Sequence, residues 1–204
     1  MDRTIYIVDD DPAVINALQN LLSSEGYLIS TFTSPAEFLH QPHYRTPSCL
    51  IVDMNMPGLD GFDVSQDITA RGYTIPTIFL TGFGTIPLTV RAMKAGAFEF
   101  LTKPVMPDDL IQVVSAAMAL AEKSAALAQE RVVLTGRYHS LTPREMELML
   151  LVIRGLLNKQ IAAEMGISEI TAKVHKRRVM EKMAVRSVSE LVRAAEKLHL
   201  LQDE

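Results

Sequence analysis

Asp9 and Asp10 stand directly after the apolar run Thr4 to Val8, Asp53 after Leu50 to Val52, and Thr81 after Thr77 to Leu80, while Lys103 closely follows Phe98 to Leu101. Carboxylates, a hydroxyl and an ammonium are groups that handle phosphate. Like charges as crowded as Asp9, Asp10 and Asp11 repel, so they need full solvation or a cation among them. Mg²⁺ accepts one or two carboxylates, keeps several waters and takes phosphate oxygens, which makes a phosphoryl group the natural second ligand. Asp11 fits better as the cap of the helix that opens with "PAVINALQNLL". A second cluster is basic: Lys173, Lys176, Arg177, Arg178 and Lys182 fall close together, with only Glu169 and Glu181 opposing them. That local excess suits a polyanion.

The elements that must position these groups can be read from periodicity. Apolar runs at Thr4 to Val8, Leu28 to Phe32, Leu50 to Val52, Thr77 to Leu80 and Phe98 to Leu101 are rich in strand formers and alternate with helical patterns. This alternation predicts an α/β domain with a parallel sheet covered on both faces. Ligands of such sheets sit at the carboxyl ends of the strands, where the polar residues fall. From Pro107 a run dominated by Ala, Leu, Glu, Gln and Lys predicts one long helix to about Val133, roughly 40 Å at ~1.5 Å per residue. It would act as a spacer, the alternative being a frayed linker with little to pack against. Beyond Gly136 only helices are expected, near 143 to 154, 159 to 165, 169 to 183 and 188 to 199. Capping boxes begin at Thr142 and Ser187.

The 204 residues, 48% of them hydrophobic, suffice for two cores, and a single Cys49 excludes internal disulfides. Cys49 itself reads as a small core residue. With no 20-residue uninterrupted apolar run and no basic-then-apolar start, neither a membrane span nor a signal peptide is expected, and the cytoplasm is the default setting. The net charge of −4 is unevenly divided. Residues 1 to 124 carry seven Lys/Arg against fourteen Asp/Glu, whereas residues 140 to 204 carry eleven against nine. An acidic module is thus joined to one that meets a polyanion.

The stretches "VDDD", "VDMNMPGLDG", "TG" and "KP", in that order and spacing, resemble the receiver domain of two-component response regulators over residues 4 to about 122. The resemblance implies a doubly wound (βα)5 fold of the CheY type, with Asp53 as phosphoacceptor. It implies Mg²⁺, for which Mn²⁺ can substitute, bound by Asp10, Asp53 and the backbone carbonyl of Asn55, with Asp9 acting through water. Thr81 and Lys103 would each hold a phosphoryl oxygen, Lys103 being placed by a cis bond to Pro104. Phe100 falls at the aromatic switch position. Lacking a hydroxyl, its inward rotation would be driven by burial alone, on the order of 2 kcal/mol. Phosphorylation would thereby reshape the surface of the fourth helix and fifth strand, which pairs with a second receiver. Gly82, where many such domains have Ala, leaves room beside the phosphate and predicts faster hydrolysis.

"KQIAAEMGISEITAKVHKRRVMEKM" reads as helix, turn, helix. On its second helix Ala172, His175, Val179 and Met183 share one face and Ile170, Lys173, Val174 and Arg177 another. His175 reads as a partly buried core residue, since no Cys or second His stands at ligand spacing. With "LTPRE" and "GLLNKQIAAEMGIS" upstream, residues 140 to 200 resemble the four-helix effector domain of the NarL, FixJ and LuxR regulators. The "TGFGTIPLTVRAMKAGAFEFLTKP" stretch is nearest the FixJ type. That resemblance implies that Lys173, Val174 and Arg177 read DNA, that Thr171, Lys159 and Arg178 contact phosphates, and that the last helix forms a dimer seam. Ala172 departs from the usual Val, a smaller core residue. The expected domains are a receiver at 1–122, a helical linker at 123–139 and a DNA-binding domain at 140–204. The expected partners are a sensor histidine kinase, promoter DNA, a second copy of the chain and RNA polymerase.

Two rivals make different demands. A phosphatase using Asp53 as nucleophile would want a second carboxylate two residues on as general acid, and Asn55 stands there. A DNA binder that is never phosphorylated would have lost pocket residues, and none is lost. The expectation is therefore a regulator that catalyses only its own phosphorylation and dephosphorylation.

Overall fold

A computed structural model describes residues 3–82, 90, 92–93 and 96–200. The expected fourth helix of the first domain falls largely outside these residues. The chain divides into two compact units, residues 1–126 and 127–204.

In the first unit five parallel strands, β1 (Thr4–Val8), β2 (Leu28–Phe32), β3 (Ser48–Asp53), β4 (Thr77–Thr81) and β5 (Glu99–Thr102), lie in the order β2-β1-β3-β4-β5. Successive residues point to opposite faces, so each apolar strand supplies two cores. Ile5, Ile7, Ile51, Ile78 and Leu80 face α1 (Pro12–Ser24) and the start of α4 (Pro107–His139), while Tyr6, Val8, Leu50, Val52 and Phe79 face α2 (Pro35–Leu39) and α3 (Gly61–Ala70). Asp11 caps α1 by accepting from the Ala13 N–H at 2.8 Å, and Ser34 caps α2. The strand order reverses between β1 and β3, which opens a crevice at their carboxyl ends. Asp9, Asp10 and Asp53 stand there. Buried Cys49 lies in β3, its thiol pushed up to about 12 by desolvation, which leaves it chemically inert.

α4 runs through Gly136 to His139, past the Val133 that composition suggests. Leu110, Val114, Ala117, Met118 and Ala121 pack in the sheet's core, and the later Leu134 and Tyr138 join the core of the second unit. This packing outweighs the ~1 kcal/mol that a mid-helix glycine costs. α4 is also long and apolar enough over part of its length to cross a membrane, at a mean hydropathy of 1.4. Its most apolar stretch includes the residues packed on the sheet.

The second unit comprises α5 (Pro143–Ile153), α6 (Asn158–Met165), α7 (Glu169–Met183) and α8 (Val188–Lys197), close to the expected spans. A buried carboxylate joins two of them. Glu145 completes the capping box with Thr142, accepting from its N–H at 2.8 Å, and pairs with Lys182 of α7 at 2.6 Å. The Lys182 ammonium and the Thr142 N–H hold the Glu145 carboxyl below its ordinary 4.5. A depressed carboxylate pKa stabilises the fold above the ordinary value, and that stabilisation is lost as pH falls through the folded-state value. Glu145→Gln keeps the cap but removes the charge. Thermal unfolding at pH 7 should report a loss of about 1–2 kcal/mol, with the two proteins converging in acid below pH 4.5.

Candidate functional site

Asp9 and Asp10 are sequence neighbours with opposite surroundings, because side chains alternate at the end of β1. Asp9 is 1% exposed and Asp53 5%, whereas Asp10 is open to solvent. One oxygen from each of the three carboxylates lies within 4.8 Å of the others. Modest side-chain rotation would bring such oxygens to the spacing of ligands on a cation with ~2.1 Å bonds. An all-oxygen set with one exposed member fits a hard cation that keeps part of its water shell.

Lys103 enters from the end of β5 and is the cation facing these acids among the described residues. Its Nζ donates to Asp9 Oδ2 at 2.7 Å and lies 3.1 Å from Asp53 Oδ1. Its backbone N–H donates to the Thr81 carbonyl at 2.7 Å, and its bond to Pro104 is cis. Burial works to lower the ammonium's pKa, but the hydrogen bonds to Asp9 and Asp53 outweigh it and hold Lys103 above its ordinary value. Asp9 is raised as well, which for a carboxylate disfavours the charged form. Desolvation raises it, offset in part by Lys103 and the Asp11 N–H. Asp53 Oδ2 accepts from the Asn55 N–H at 3.3 Å, Thr81 is fully buried at the end of β4, and Phe100 on β5 is half-buried beside the core that holds Phe79. The structure therefore brings Asp9, Asp10, Asp53, Asn55, Thr81 and Lys103 to one end of the sheet, with Phe100 behind them.

Gly61 is a positioning residue that residue chemistry does not reveal. It opens α3, and a Cβ there would stand 2.8 Å from the carbonyl oxygen of Asp53 and 3.2 Å from the Phe79 ring. The clash is with backbone, so it cannot be relieved by rotating a side chain. Gly61→Ala should cost on the order of 1–3 kcal/mol, the usual range for overpacking. It should also slow labelling of the protein by acetyl phosphate, as measured by thermal unfolding and a labelling time course.

The basic element is α7. α6 ends at Gly166, in the left-handed region at φ +63°, and Ser168 caps α7 by accepting from the Thr171 N–H at 3.1 Å. Ala172, Val179 and Met183 are buried and His175 half-buried. Lys173, Val174, Arg177 and Arg178 are exposed, as is Lys159 on α6, and the Thr171 hydroxyl shares a 2.8 Å hydrogen bond with Ser168. Lys173 pairs with Glu169 at 3.1 Å and Arg177 with Glu181 at 2.8 Å. Exposed pairs of this kind are worth little and yield readily to phosphate.

Comparison with known proteins agrees with both halves. The family described as "Response regulator receiver domain" matches residues 5–115, and "Bacterial regulatory proteins, luxR family" matches residues 139–195. The chain belongs to the response regulators, and carries a LuxR-type DNA-binding module. It is 43% identical to the response regulator protein TmoT of Ectopseudomonas mendocina, over 97% of this chain and 90% of that protein. To the transcriptional regulatory protein FixJ of Bradyrhizobium diazoefficiens it is 40% identical, over 98% and 97%. The solved structure of the response regulator StyR superposes with a TM-score of 0.87 at 42% identity, covering 97% of this chain and all of that one. A receiver joined to a DNA-binding module makes this protein a DNA-binding transcriptional regulator.

Proposed function

We propose that Asp53 accepts a phosphoryl group from a sensor histidine kinase in the cytoplasm, and that the acyl phosphate favours a dimer bound to paired promoter half-sites. The observation that carries this reading is the Lys103 ammonium held between Asp9 and Asp53 at 2.7 and 3.1 Å. A cation so placed can pass from the Asp53 carboxylate to an oxygen of the group attached to it.

In the transfer, an Asp53 carboxylate oxygen attacks phosphorus as the bond to the donor's histidine nitrogen breaks. Hydrolysis later returns phosphate and the free carboxylate. Such a step needs charge neutralisation and positioning more than a dedicated base. Lys103 pairs with one phosphoryl oxygen and Thr81 hydrogen-bonds another. Asp10, Asp53 and the carbonyl of Asn55 would hold Mg²⁺, or Mn²⁺ in its place, with Asp9 reaching it through water; the metal supplies charge neutralisation for the transferring group. The inward movement of Thr81 makes room for Phe100, whose rotation reshapes the surface that pairs with a second receiver. On DNA, Lys173, Val174 and Arg177 face the bases, and Thr171, Lys159 and Arg178 the phosphates. RNA polymerase is the partner downstream. Its own phosphorylation and dephosphorylation are the only reactions assigned to the protein.

Incubation with acetyl phosphate and Mg²⁺ tests the reading. A hydroxylamine-labile label on Asp53, with tighter binding to an enriched DNA duplex, supports it. Steady phosphate release from small esters supports a phosphatase instead. A Cβ at Gly82 would meet nothing within 4 Å, so Gly82→Ala should fold normally and lengthen the life of the acyl phosphate severalfold by crowding the approach of water. An unchanged decay rate would remove that role for Gly82.

A further inference from the structure

Ile170 is 76% exposed, more than any other large apolar side chain among the described residues, and Val174, four positions on, is 46% exposed. Single exposed hydrophobes are ordinary. These two, however, share one face of the helix that carries the basic residues. They lie at the spacing at which helical side chains are neighbours, and Lys173 and Arg177 are exposed beside them. Ile170 is the second residue of α7, at the N-terminal end, which in a helix-turn-helix is the end that contacts base edges. Four residues of helix advance about 6 Å, close to two base-pair rises of ~3.4 Å. An apolar pair flanked by cations, whose exposed pairs to Glu169 and Glu181 are weak, matches one feature of the major groove, the 5-methyl groups of thymine, set between phosphate rows that the cations would face.

Resting on the DNA-binding reading above, we infer that Ile170 is a specificity-determining residue. It packs against a thymine methyl in each half-site, one or two base steps from a second thymine read by Val174. The cationic flank selects DNA over a protein partner for this apolar pair, since desolvating Lys173 and Arg177 against a neutral surface would be unfavourable.

The test uses the full chain treated with acetyl phosphate and a duplex enriched by it from a random pool. Thymines in the half-site are replaced one at a time by deoxyuridine, which removes the methyl and leaves base pairing intact. For the unsubstituted protein, two positions within about two base steps should each weaken binding about fourfold, the value of one buried methyl group. In Ile170→Ala the effect at one of them should vanish while the other persists, and Val174→Ala should reverse the pattern. Ile170→Val should retain most of the discrimination. Because Ile170 is exposed, its replacement leaves the core intact, which the helical circular dichroism will verify. The inference is overturned if no thymine position responds to loss of its methyl, or if Ile170→Ala keeps the full response at both. Failure to enrich any duplex would overturn the DNA-binding reading and this inference with it, an outcome distinct from enrichment without methyl dependence.

Discussion

Asp53→Asn should abolish labelling by acetyl phosphate and by any cognate kinase, while leaving the receiver folded. Asn preserves the size of the side chain and can still accept from the Asn55 N–H that Asp53 engages at 3.3 Å. It cannot act as the nucleophile, since an amide oxygen carries no charge to share with phosphorus. Removal of one of three clustered carboxylates should also lower Mg²⁺ affinity on the order of 10- to 100-fold, because hard-cation sites are tuned by the number of ligand charges. Isothermal titration with Mg²⁺ and mass spectrometry after acetyl phosphate treatment measure the two effects separately. Metal affinity equal to that of the unaltered protein would mean that the cation sits elsewhere. Persistent label would move the acceptor to Asp9 or Asp10. DNA binding without phosphodonor should be unchanged, since the substitution leaves every residue of α7 as it was.

The parts of this design that rest on periodicity and capping are legible in the residues. Apolar runs that end in Asp9, Asp10 and Asp53 place acids at strand ends, and Ser34, Thr142, Ser168 and Ser187 mark helix starts by the hydrogen bonds that their oxygens accept in the structure. Contacts between distant segments are not legible in this way. Glu145 and Lys182 stand 37 residues apart, and nothing local indicates that the acid is buried and paired. Gly61 looks like an ordinary turn residue until Asp53 is seen to approach it. The difference between Asp9 and Asp10 is equally hidden, since two identical side chains acquire separate surroundings only once β1 is placed in its sheet. α4 teaches the same point from backbone propensity. Gly136 argues for a stop, and the burial of Leu134 on the second unit's core overrides it.

The burial of Asp9 and Asp53 against a single ammonium leads to the strongest stability effect expected in the molecule. Lys103→Met replaces the ammonium with an apolar side chain of similar length, leaving Asp9 at 1% exposure and Asp53 at 5% with no cation between them. Breaking a buried pair by removing one partner costs about 3–5 kcal/mol, because the remaining charge is left uncompensated. Asp9 already lies above its ordinary 3.8 through desolvation, and loss of Lys103 removes a contact that lowers it. A carboxylate whose folded-state pKa is raised stabilises the fold when protonated, and that contribution is lost as pH rises through the folded value. The penalty in Lys103→Met should therefore be full at pH 7 and shrink as pH falls toward 4. In the unaltered protein the Lys103 contribution is present throughout this range, because its pKa lies above the ordinary 10.5. Millimolar Mg²⁺ should restore much of the lost stability at pH 7, by supplying a second source of positive charge to the same oxygens. It should restore little in acid, where protonated carboxyls bind it weakly. Near-UV circular dichroism can follow the receiver through the packed rings of Tyr6, Tyr44 and Tyr73. Equal destabilisation at both pH values, with no response to Mg²⁺, would show that Lys103 acts through packing alone and that these acids do not form a charge-coupled cation site.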